Sequence, residues 1–130
     1  MSSAPQRNVV KARESGFGPF GQYINVGHHI LGADEPGTYG GQDTGPDPFE
    51  LVMAGLAACT TMTIRMVAGR KKITLDDVSV EVRHLRAPVM SMGTAPAPNG
   101  EKPHAFERVV TLIGDLTPED RALLVAMADK

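Results

Sequence analysis

Apolar and polar positions alternate most cleanly at residues 78–84, where Val78, Val80, Val82 and His84 interleave with Ser79, Glu81 and Arg83. A period of two over that length predicts a strand with one face buried. A second strand is expected over residues 106–113. Near the N-terminus, residues 8–12, 20–26 and 28–33 predict three short strands, broken by Gly16, Gly18, Pro19 and Gly21 and by a turn at Asn25 to Gly27. Residues 34–48 hold four Gly and three Pro and predict a loop. That loop ends in a helix start. Asp47 at the N-cap, Pro48 behind it and Glu50 at the third helical position form a capping box with the favoured proline.

From there to about Gly69 the sequence LVMAGLAACTTMTIRMVA is apolar on nearly every side. Some 22 residues make a helix about 33 Å long. A helix without a polar face belongs inside a core or between two chains. Ala54, Gly55, Ala57 and Ala58 leave room for another backbone, and Arg70, Lys71 and Lys72 suit the negative end of the helix. Residues 87–103 carry four Pro and two Gly, a segment longer than most loops and a candidate lining for a site entrance. Thr117, Pro118, Glu119 and Asp120 then cap a second helix that stops without a C-cap, so a continuation beyond Lys130 is expected. Strands and helices occur in separate runs, which predicts an α+β fold: N-terminal antiparallel strands, a long central buried helix, two further strands and a second helix.

Composition narrows the function classes. The 130 residues form one domain, with 13 basic against 15 acidic side chains, a net charge of −2. That balance argues against nucleic acid as a partner. The longest uninterrupted apolar run, residues 51–59, is short of a membrane span, and the N-terminus has no apolar stretch of the kind found in secretory signals. A single cysteine, Cys59, excludes an intrachain disulfide and suits the reducing cytoplasm.

Cys59 is the first candidate for chemistry. It shares a helical stripe with Val52, Gly55, Met62 and Met66, and the pattern leaves it between a small buried hydrophobe and a thiolate nucleophile. Glu50 lies nine residues earlier, about 180° around the helix and roughly 13.5 Å along it. It cannot reach Cys59 of its own helix, and a pairing between them requires a second subunit. His28 and His29 point to opposite faces of a strand, and no Cys or His spacing fits a metal, so neither metal nor cofactor is expected. Phosphate-loop and serine-elbow motifs are absent from the sequence.

The stretch GPDPFELVMAGLAACTTMTIRMVAGRKKITLDDVSVEVRH closely resembles the central motif of the OsmC/Ohr family, the osmotically inducible and organic-hydroperoxide-resistance proteins, and most of all its OsmC-like branch. ILGADEPGTYGGQDTGPDP before it and FERVVTLIGDLTPEDRALLVAMADK after it also fit. The resemblance implies an intertwined homodimer in which both subunits build each site, and thiol-dependent reduction of organic hydroperoxides. Cys59 occupies the position of the family's reactive cysteine. By the same resemblance Glu50 is the carboxylate assistant, and Arg13 is the arginine nearest the family's N-terminal catalytic one, whose region here reads SGFGPFGQY. The family's second cysteine, in a C-P-V-H motif after a stretch like ADK, falls beyond Lys130, so an external thiol is expected as reductant. In the peroxidase branch the glutamate directly follows the proline, whereas here Phe49 intervenes. The expected function is a cysteine-based peroxidase in oxidative or osmotic stress defence. The alternative is a non-catalytic dimer that binds a small apolar ligand or a protein partner, with Cys59 buried and inert.

Overall fold

The computed structural model describes residues 9–86 and 104–129. The segment 87–103 and its expected role at a site entrance lie outside the described residues. The chain divides into two compact units, residues 1–51 and 52–130.

The first unit is a three-stranded antiparallel sheet of β1 (Val10–Glu14), β2 (Gln22–Val26) and β3 (His29–Ala33), in that order. Strand β1 sits two residues later than the apolar pattern predicts. The reason is the hairpin turn. Ser15 N–H donates to the Gly21 carbonyl at 2.9 Å, which fixes Glu14 opposite Gln22 and carries the register back to Val10 opposite Val26. Phe20 and Pro19 therefore belong to the turn, where Gly16 and Gly18 take φ of +84° and +66°. After β3 the loop makes a short 3-10 turn at Gly37–Tyr39 before the start of helix α1 (Pro48–Arg70).

In the second unit α1 continues to Arg70, followed by the hairpin of β4 (Asp77–Arg86) and β5 (His104–Ile113) and by helix α2 (Pro118–Ala128). The alternation read in β4 is borne out: Val78, Val80, Val82 and His84 are half-buried while Ser79, Glu81 and Arg83 are exposed. One core joins these elements. Ile64, Val67 and Ala68 of α1 pack with Leu75, Leu112 of β5 and Leu124 of α2, with Ile73, Val78, Val110 and Met127 around them. Both predicted caps form. Asp47 and Glu50 exchange backbone-to-carboxylate hydrogen bonds of 2.9 and 2.8 Å, and Thr117 and Asp120 form the reciprocal box at α2.

Helix α1 departs from expectation in two ways. Its 23 residues include an 18-residue window of mean hydropathy 1.6, so by length and composition it is long and apolar enough to cross a membrane, contrary to the estimate from its longest uninterrupted run. It is also not buried all round. Only Thr60, Ile64, Val67 and Ala68 are fully buried, a single stripe that meets the core. Helical geometry leaves Leu51, Met53, Leu56 and Ala57 half-buried and turns Val52, Met62 and Met66 outward, exposed at 55%, 70% and 48%.

Candidate functional site

Cys59 lies in the middle of α1 on the exposed apolar stripe, between Gly55 and Met62, and its side chain is exposed. This corrects the reading of Cys59 as a buried hydrophobe within the chain. The next residue points the other way. Thr60 is 2% exposed, and its hydroxyl donates to the Leu56 carbonyl at 2.8 Å. The thiol-bearing turn thus presents sulfur outward while its neighbour is held inward.

Glu50 is engaged at the N-terminus of α1. Its carboxylate accepts from the Asp47 N–H, and its own N–H donates to the Asp47 carboxylate, so the capping role accounts for its contacts in the chain. Arg13 is exposed on β1, and its guanidinium carbon lies 5.0 Å from the ring centre of Tyr23, its cross-strand partner. That is a cation–π geometry. Among the described residues no contact joins Arg13 to Glu50. A cleft of about 420 Å³ opens in the first unit, lined by Phe20, Ile24, Ala33, Asp34, Pro48 and Leu51 among others.

Two polar centres went unnoticed in the sequence. Asp34, 2% exposed at the end of β3, organises the loop that leads to α1. Its Oδ1 accepts from the Glu35 N–H at 2.7 Å, and its Oδ2 accepts from the Thr44 hydroxyl at 2.6 Å and from the Thr44 and Gln42 N–H groups at 3.2 and 3.3 Å. The Thr44 hydroxyl bond is the main reason its carboxyl titrates below the ordinary carboxylate value; burial pulls the other way, and the three N–H donors assist the hydroxyl. Gly41 fits this loop because an added Cβ would collide with the Glu35 carbonyl.

The second centre is Arg108. Phe106, Arg108, Val110 and Leu112 share the more buried face of β5, so the charge falls in phase with apolar positions, and that phase was the signal available in the sequence. Its Nη1 donates to Thr60 Oγ1 at 3.0 Å and to the Ala128 carbonyl at 3.3 Å, and its Nη2 donates to the Asp129 carboxylate. Among the described residues no group of three or more His, Cys, Asp or Glu is arranged to hold a metal ion.

Comparisons with known proteins agree with this architecture. A sequence model described as OsmC-like protein matches residues 41–130. No curated protein sequence is significantly similar to the chain. Among solved structures, the organic hydroperoxide resistance protein OsmC of Legionella pneumophila is 28% identical, with a TM-score of 0.62 over 92% of this chain and 80% of that one. The organic hydroperoxide resistance protein OhrB of Bacillus subtilis is 26% identical, with a TM-score of 0.57 over 92% and 81%. An OsmC-like protein of Mycoplasma pneumoniae shares the fold at a TM-score of 0.73 and 17% identity, over 100% of this chain and 83% of that one. The family match spans more than half of the chain, and it shows that the chain belongs to the OsmC-like protein family.

Proposed function

We propose that the chain is a thiol-dependent peroxidase acting on organic hydroperoxides, with Cys59 as nucleophile. The observation that carries this reading is the exposed thiol midway along α1 of an OsmC-like fold. Two structures, 28% and 26% identical to it, bear the name organic hydroperoxide resistance protein. In the reaction, the Cys59 thiolate attacks the terminal oxygen of the hydroperoxide and the O–O bond breaks. The departing alkoxide takes a proton and leaves as the alcohol, and the sulfur is left two electrons oxidised as a sulfenic acid. An external thiol then attacks that sulfur, water leaves, and a second thiol resolves the mixed disulfide.

Glu50 and Arg13 complete this site across a homodimer. Arg13 supplies a positive charge for the peroxide oxygens, and Glu50 orients that charge or the attacked oxygen. A lone cysteine suits a reducing compartment, and we place the protein in the cytoplasm on that ground. The apolar cleft beside Phe20 and Leu51 favours a second reading, a ligand-binding dimer in which Cys59 is idle. Intact mass after stoichiometric organic hydroperoxide with a sulfenic-acid trap separates the two. A single adduct mapped to Cys59 and formed within seconds is expected. An unmodified Cys59 beside oxidised methionines would sink the peroxidase reading and leave the binding one.

A further inference from the structure

The geometry points to Arg108 as a positioning residue for Cys59, a role that rests on the peroxidase reading above. Helix α2 has no basic residue in its last turn, where a cation would meet the terminal carbonyls. Arg108, from β5, supplies one. It donates to the Ala128 carbonyl and pairs with Asp129, beside the negative end of the α2 dipole. The same guanidinium donates to Thr60, and so ties the end of α2 and strand β5 to the turn of α1 that carries Cys59.

The tie leaves that turn little freedom. The Thr60 hydroxyl has one proton, given to the Leu56 carbonyl, and a lone pair that accepts from Arg108. Both bonds lie in a 2% exposed position, where a lost partner is not replaced by water. Residues 56–60 are therefore fixed from their buried side, while the sulfur of Cys59 is exposed. A nucleophile held from behind keeps its line of attack when a substrate approaches from the open face, and small misplacements of such groups cost rate steeply.

The test combines Arg108→Met, Thr60→Val and the double variant in the full chain. Two rate constants of Cys59 are measured at one pH, one with an organic hydroperoxide and one with iodoacetamide, beside amide hydrogen exchange along α1. Each single variant is expected to lower the ratio of oxidation to alkylation about tenfold, and the double variant no further, because both break one path. Exchange at residues 56–60 is expected to speed up about tenfold while residues 64–68 keep their protection. An unchanged ratio, additive losses, or exchange that rises evenly along the helix overturns the positioning role. Should Arg108→Met fail to fold, Asp129→Asn removes only the ionic arm, and a ratio equal to wild type in that variant overturns the role as well. A wild-type Cys59 inert to hydroperoxide removes the peroxidase reading alone; the role of Arg108 is then judged on exchange at residues 56–60, where an unchanged rate overturns it.

Discussion

At Asp34 a single carboxylate takes the place of regular structure. Four hydrogen bonds converge on it from Glu35, Gln42 and Thr44, and they hold a loop that has only a 3-10 turn of its own. The sign of its pH dependence follows from the lowered titration. In the unfolded chain the group titrates near its ordinary 3.8, and in the folded chain below it, led by the Thr44 hydroxyl. Its contribution to stability is therefore complete above about pH 4 and is lost as the pH falls through the lowered folded value. Unfolding in urea followed from pH 6 down to pH 3 should show that loss, and Asp34→Asn should be less stable at pH 6 while losing less on acidification. Equal slopes for the two proteins would show that the loop does not depend on the charge. None of this was visible in the sequence, because the partners lie up to ten residues away inside a segment whose composition says only that it turns. Arg108 was hidden for a related reason. Its partners at Thr60 and Ala128 stand 48 and 20 positions off, and only its phase within β5 hinted that it faces inward.

At the scale of elements, local chemistry was legible and register was not. The capping boxes at Asp47–Glu50 and Thr117–Asp120 involve neighbours three residues apart, so their residue types sufficed to name them. The alternation in β4 was equally plain. Strand β1 slid by two residues because its pairing is set by a seven-residue turn in which Gly16 and Gly18 adopt positive φ, and apolar content does not report on that. The end of α1 carries a further departure from the usual pattern. Ile73 N–H donates to the Ala68 carbonyl and Lys72 N–H to that of Gly69, a Schellman closure. The left-handed position belongs to Lys72, at φ +55°, where glycine is the common choice. An L side chain there costs roughly 1 kcal/mol. Lys72→Gly should therefore stabilise the protein by about 0.5–1 kcal/mol in urea unfolding, the gain in backbone ease being partly offset by a more flexible unfolded chain. A loss of stability would mean that the lysine charge at the helix end outweighs its strained backbone.

For the whole molecule the open question is what covers α1. Val52, Gly55, Cys59, Met62 and Met66 repeat at alternating spacings of three and four, the period of a helix seam that meets another helix. All five are exposed in the single chain, and an added Cβ at Gly55 would meet nothing within 4 Å. Small residues in such a seam let two backbones approach closely, and Ala54 and Ala58 flank it on the same exposed side. A second copy of this chain is the occupant that the proposed function requires, since Glu50 lies nine residues before Cys59, about 180° around the same helix, and cannot reach the thiol within one chain. Sedimentation at micromolar concentration should give twice the mass of the 13.8 kDa chain. Met62→Glu, which sets a charge in the seam at a side chain that is 70% exposed, should shift it to the chain mass. The same substitution should abolish oxidation of Cys59 by hydroperoxide while leaving α1 helical by circular dichroism, because the turn holding the thiol is fixed from within the chain by Thr60 and Arg108. A wild-type monomer that still formed the sulfenic acid would show that one chain is enough for the chemistry. It would then force a search for a cation within the second unit, where Arg65, on the same helix as Cys59 but donating to the Leu75 carbonyl, is the first residue to substitute.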